Sequence, residues 1–343
     1  MRIGAGLDAR LGLRFDELRQ AGREADRLGF ESLWTPAGGV PDAFHLCAAW
    51  SQDSTLRTGI SVVPAARMWR PLALATQAAT VGLISNGRFV LGIGTGGYGP
   101  EFWASVDLPD RPIAVMRDYL TILRGLLAGE TVNHEGPALR VRSASLDIPG
   151  LPRVPVFLGA LGSQMVRLAG ELADGALLNW ATVDRIAKSR SLVKEGADRI
   201  GRDPAEVSLT MYIRVCIDDD VEAARRALAA QVLGYAMASP GTPLHTGYRG
   251  LFAEMGFSQV ISELEQRQIA GESMGALVAA APDELLTSVG YFGPAEGAAE
   301  AYARLSKGLD ETVVRILTAR PGLEPVVAAM EALTPDRIRA VAG

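Results

Sequence analysis

Apolar positions change period repeatedly along this chain. At Val156, Phe157 and Leu158 they form a short continuous run, and shortly afterwards Met165, Leu168, Ala169 and Leu172 recur at i, i+3, i+4 and i+7. The run fits a strand buried on both faces, and the spacing fits one face of a helix. Gly159 and Gly162 permit a tight turn between the two, and the chain returns to an apolar run at 175–179. The segment from Val154 to Asn179 thus predicts strand, turn, helix and strand, a crossover that joins parallel strands.

The same alternation fills the sequence. Strands are predicted near 2–7, 31–35, 57–63, 89–93, 155–159, 175–179, 207–217 and 312–318, and helices near 15–29, 42–53, 71–85, 112–128, 163–173, 182–200, 219–238, 294–307 and 323–334. Local signals agree: Pro71 opens a helix, Asp16 and Glu17 lie in a first turn, and Asn86-Gly87 follows a helix end. Eight strand-helix units predict an α/β fold of TIM (β/α)8 type, read as one domain over 1–343 because no Pro-, Gly- or Ser-rich linker divides it. Such a barrel takes roughly 250 residues. The surplus is assigned to insertions at 130–150, where VNHEGPALRVR reads as a hairpin, and at 239–292. A doubly wound open sheet would leave the eighth strand without a place.

Composition narrows the partners. The net charge of −5 is spread along the chain, which argues against nucleic acid or an anionic membrane surface as the main partner. No segment reads as a secretory leader or membrane span, and Cys47 and Cys216 lack staple-like spacing, so a cytoplasmic protein with reduced core thiols is expected. The three histidines, His45, His134 and His245, form no metal-ligand pattern.

Several motifs compete for the chemistry. Gly162 and Ser163, with Ser163 expected at the N-cap, stand at a helix start whose free N–H groups suit phosphate, although the same residues also serve simply to begin a helix. Gly92-Ile-Gly94-Thr-Gly96-Gly97 satisfies the dinucleotide fingerprint, yet Tyr98-Gly99-Pro100 continues as loop where that fingerprint needs a helix. A glycine-lined floor beneath a flat cofactor fits better. Gly271-Glu-Ser273-Met-Gly275 has the nucleophile-elbow spacing but follows a helix-like stretch, with no histidine after it. Trp34 and Trp180 stand out among the tryptophans because they fall at predicted strand C-terminal ends, the catalytic face of a barrel.

GFESLW at 29–34, RTGISVVP at 57–64, the run RPLALATQAATVGLISNGRFVLGIGTG at 70–96 and the segment 154–179 together resemble the bacterial-luciferase-like superfamily, most closely its deazaflavin-dependent branch of the methylenetetrahydromethanopterin reductase type. The resemblance covers nearly the whole chain and is weakest over 239–292. It implies an oxidoreductase that moves a hydride between C5 of coenzyme F420 and a small organic substrate, with FMN and oxygen in a monooxygenase, or a binding protein without turnover, as alternatives. It also implies a homodimer. By position it places a non-prolyl cis peptide at Gly59-Ile60 with Ser61 after it. The ring would lie against Gly94, Gly96 and Gly97, and the phosphate at Gly162 and Ser163, while Thr35, Gly159, Ala160, Asn179 and Trp180 would be further cofactor-binding residues.

One departure stands out. Members of that superfamily carry Asp-His or Glu-His past the second strand, where this chain reads Trp34-Thr35-Pro36-Ala37-Gly38. Neither Ala37 nor Gly38 titrates, so a proton, if one is transferred, must come from elsewhere, and Tyr98, Glu101, His45 and water are the candidates; pure hydride exchange would need none at that spot. Asp8 reads equally as a cap. Arg67 and Arg70 would meet the acidic tail of coenzyme F420.

Overall fold

The computed structural model describes residues 1–97, 100–237 and 247–342. Its strands are β1 (Arg2–Gly6), β2 (Ser32–Thr35), β3 (Arg57–Pro64), β4 (Phe89–Gly94), β5 (Val132–Glu135), β6 (Arg140–Ala144), β7 (Val156–Gly159), β8 (Gly175–Asn179), β9 (Ser208–Ile217), β10 (Gly290–Gly293) and β11 (Glu311–Leu317). Parallel pairing runs β1-β2-β3-β4-β7-β8-β9-β11 and returns from β11 to β1, closing an eight-stranded barrel with helices between the strands. The TIM barrel is as expected, and each predicted barrel strand falls on an observed one.

Side-chain alternation builds two cores. Trp34, Val90, Phe157, Leu177, Tyr212 and Val313 point inward from β2, β4, β7, β8, β9 and β11 and fill the barrel. Their neighbours Leu33, Leu91, Leu158, Ile213 and Val314 point outward into a larger core shared with the helices. Small residues make the interior fit: a Cβ on Gly59 would lie 2.5 Å from the Trp34 ring, and one on Gly175 2.7 Å from Phe157. At the floor the buried Glu311 carboxylate accepts from Ser32 Oγ at 2.7 Å and Trp34 Nε1 at 3.0 Å and pairs with Arg57. Trp34 is therefore a packing residue.

Two segments stand outside the barrel strands and the helices between them. β5 and β6 form the hairpin, held by Asp118, whose carboxylate meets His134 Nε2 at 2.9 Å and the amides of Ala138 and Leu139. In the second insertion, helices Gly247–Phe252, Ser258–Ile269, Met274–Ala280 and Asp283–Val289 pack on helix Val221–Ala236 around Trp180 and Phe252. The unforeseen strand β10 ends this insertion and pairs with the second half of β9, Gly290 opposite Arg214. Ser273 caps helix Met274–Ala280 by accepting from the Ala276 amide, which explains the elbow-like spacing. Among the described residues no helix is long and apolar enough to cross a membrane, and Cys47 and Cys216 are buried and free.

Candidate active site

The C-terminal strand ends open into a cavity of about 350 Å³, the position where barrel enzymes keep their chemistry. One wall is a distortion of β3. Pairing with β4 skips register between Ile60 and Val63, and the peptide Ser61-Val62 is cis. The expected cis bond at Gly59-Ile60 is thus corrected by two residues. Gly59 owes its small size to packing against Trp34, whereas the bulge lies where the strand has risen past that ring and Ser61 and Val62 face the cavity.

Gly94, Gly96 and Gly97 continue this wall. A Cβ on Gly94 would stand 2.9 Å from Val62 and one on Gly96 2.3 Å from Pro64, and Gly96 has φ of 88°. The loop after β4 can follow the bulge this closely only without side chains. Gly159 and Ala160 carry the lining from β7 to Leu161. Helix Ser163–Leu172 starts next, with Gly162 as N-cap and no side-chain cap. Ser163 is therefore the first helical residue, a correction to its expected N-cap place; glycine takes that place in extended backbone, leaving the first amides to an outside acceptor.

The opposite side is cationic and aromatic. Arg214, Asn179, Tyr212, Tyr235, Tyr248, Arg10 and Arg315 all line the cavity. Arg214 Nη1 donates to Asn179 Oδ1 at 2.7 Å, and Asn179 Nδ2 donates to Tyr248 Oη at 2.8 Å. The Arg214 guanidinium lies 3.7 Å over the Trp180 ring and 5.2 Å from that of Tyr235. Burial pushes Arg214 below the usual arginine value. Burial alone would raise the Tyr235 phenol, but Arg214 and Arg10 beside it outweigh burial and bring it below the ordinary tyrosine value. Tyr212 is pushed up by burial, with Ser61 pulling the other way. Asp8 caps the turn Ala9–Leu11 through the Arg10 amide and ion-pairs with the buried Arg315.

Of the residues expected from sequence, Ser61, Gly94, Gly96, Gly97, Gly159, Ala160 and Asn179 are brought together on the cavity. Thr35 is buried behind Pro36 and Ala37, which line it in its place, and Gly59 and Ile60 are buried in the strand below. Gly162 and Ser163 adjoin the rim at Leu161. Trp180 backs Arg214 from outside the cavity, fully buried. His45 does not reach the site: it lies on the exposed face of helix Ala43–Asp53, side chain 79% exposed and bonded to Asp42. Glu101 is exposed on helix Pro100–Ser105 and does not line the cavity, and Tyr98 lies outside the described residues. Arg10, Tyr212, Arg214, Tyr235, Tyr248 and Arg315 were not anticipated. A signal existed for two of them, since Arg214 and Arg315 put a cation inside the apolar runs MYIRVCI and VVRIL of buried strands.

A closed parallel barrel with a glycine-walled, arginine-rich cavity at its C-terminal mouth defines the chain as a TIM-barrel protein whose main candidate site is that cavity. The chain belongs to the luciferase-like monooxygenase family, whose model matches residues 1–312. Among relatives, it is 29% identical over 212 residues to 5,10-methylenetetrahydromethanopterin reductase of Methanolobus tindarius, covering 61% of this chain and 63% of that one. It is likewise 29% identical over 223 residues to F420-dependent glucose-6-phosphate dehydrogenase of Microbacterium testaceum, covering 61% and 66%. The matched region thus spans just under two thirds of these two relatives. In fold it is similar to the coenzyme F420-dependent tetrahydromethanopterin reductase of Methanopyrus kandleri, with a TM-score of 0.75, 20% identity and coverage of 98% and 99%.

Proposed function

We propose that this protein is a coenzyme F420-dependent oxidoreductase acting on a small organic substrate. The observation that carries the reading is the wall formed by Ser61 and Val62 of the β3 bulge with Gly94, Gly96 and Gly97, whose lack of side chains lets the loop lie close along the bulge and offers a flat surface for a fused ring. The names of the sequence relatives supply the cofactor class. Fit to that group is supported by the donor set: the Ser163 helix start has no side-chain cap and so suits a phosphate. Arg67 and Arg70, exposed after β3, have no ion-pair partner among the described residues and suit an acidic tail.

Bound coenzyme F420 supplies a two-electron hydride donor and acceptor at C5 of its deazaflavin ring. Ser61, Val62 and the glycines would back the ring, Gly162 and Ser163 would hold the phosphate, and Asn179 would orient Arg214 across the cavity. In place of the absent Asp-His pair, Tyr235 holds the transferable proton: it lines the cavity, and the two arginines beside it favour its release.

Titration of the purified protein with coenzyme F420 and with FMN, each oxidised and reduced, tests the reading by fluorescence. Saturable binding of coenzyme F420 with at least tenfold preference over FMN is expected. Preference for FMN overturns the cofactor assignment in favour of a flavin monooxygenase, and binding of neither overturns the site.

A further inference from the structure

Arg214 is the exception to the way this molecule treats buried charge. Elsewhere Glu311 pairs with Arg57, Arg315 with Asp8, Arg249 with Glu265 and Glu171 with Arg117. The Arg214 side chain belongs to a residue only 3% exposed, yet no carboxylate of a described residue pairs with it; its neighbours are Asn179, Trp180, Tyr235, Tyr248 and a second cation, Arg10. Residues 98, 99 and 238–246 include no Asp or Glu in sequence. A guanidinium taken out of water without a counter-ion is expensive, and it is kept where an anion completes it.

Its place in the barrel separates it from the surfaces assigned to the cofactor. In the ring of strands β9 is fourth from β3 in either direction, so Arg214 faces the bulge from the opposite wall. A flat ring against Ser61 and Val62 leaves its outer face toward Arg214, and the cofactor's phosphate and tail have Gly162, Ser163, Arg67 and Arg70. We propose that Arg214 and Arg10 form an oxyanion subsite for the substrate, so that this enzyme acts on organic anions carrying a carboxylate or phosphate group beside the carbon that exchanges the hydride. This rests on the coenzyme F420 reading above. Trp180 and Asn179 position the fork: the indole supports its plane at 3.7 Å and the amide fixes Nη1 at 2.7 Å.

The experiment is calorimetric titration of benzoate and of inorganic phosphate into wild-type protein loaded with coenzyme F420, and into the protein alone. One-to-one binding of at least one probe to the loaded protein is expected, benzoate marking a carboxylate subsite and phosphate a phosphoester subsite. Arg214→Gln should weaken the probe at least tenfold while changing the cofactor Kd less than threefold. Arg10→Gln, on an exposed turn where folding is not at stake, should weaken it several-fold, which keeps the test decisive if the buried variant misfolds. The proposal is overturned if neither probe saturates, if coenzyme F420 displaces the probe, or if the Arg214 change moves the cofactor Kd instead. Should coenzyme F420 itself fail to bind, the cofactor reading falls, while titration into the protein alone still decides the subsite.

Discussion

Tyr235 shows how far a residue's chemistry depends on company that sequence does not display. Its phenol lines the cavity between Arg214 and Arg10, which draw it below the ordinary tyrosine value against the effect of burial. In the proposed role of proton donor it would serve while protonated, so activity should fall as pH rises through its lowered value. Tyr235→Phe is expected to reduce kcat on the order of 10²-fold and to abolish that alkaline limb. A variant whose pH profile matches wild type would exclude the role. Glu311 illustrates the structural counterpart. Burial alone would raise its carboxyl, but Arg57, Ser32 and Arg2 outweigh burial and hold it below the usual glutamate value. A depressed carboxyl contributes stability above its unfolded pKa of about 4.3 and loses it as pH falls through the folded value. Glu311→Gln should cost on the order of 3 kcal/mol near neutrality, because it removes the charge opposite Arg57, and the difference should shrink on acidification. Urea melts at pH 7 and pH 4 measure both.

At the level of elements, the strands and helices were legible because their two periods are local properties. The small hairpin was equally legible from VNHEGPALRVR, although what fastens it, Asp118 reaching from helix Pro112–Leu127, came from a residue with no distinguishing pattern. Fine placement was less legible. The helix start lies at Ser163 with Gly162 as cap, since serine and glycine both suit that turn, and the bulge lies between Ile60 and Val63, beyond Gly59, which packs against the Trp34 ring, a tertiary contact no local pattern displays. The Ser163 helix gives a test that separates ligand binding from folding. Ser163→Asp puts an acid in the first turn, which favours the helix by about 0.3–1 kcal/mol but repels a phosphate at its amides. The expected result is an unchanged or raised Tm together with at least a tenfold weaker coenzyme F420 complex. An unchanged Kd would remove the phosphate from this helix.

For the whole molecule, charge is arranged against the average. The chain is net negative by 5, while Arg10, Arg214 and Arg315 line the cavity and, among the described residues, no acidic side chain does. Such a mouth attracts anions through solvent, and the attraction is screened by salt. Raising KCl from about 50 to 500 mM should weaken coenzyme F420 binding roughly threefold or more, read by the same fluorescence titration; insensitivity to salt would mean that shape rather than charge holds the cofactor. The sequence by itself determined the barrel and the glycine-walled half of the site, because strand, helix and glycine turn are written in neighbouring residues. Only the tertiary structure decided the other half. Arg10, Asn179, Arg214, Tyr235 and Tyr248 come from β8, β9 and the turns and helices that follow β1 and β9, and are distant in sequence. They share one cavity because the barrel closes and the second insertion folds over it, and no local pattern encodes that closure. The same closure excluded His45, which faces outward on its helix, and buried Trp180 behind the arginine it supports.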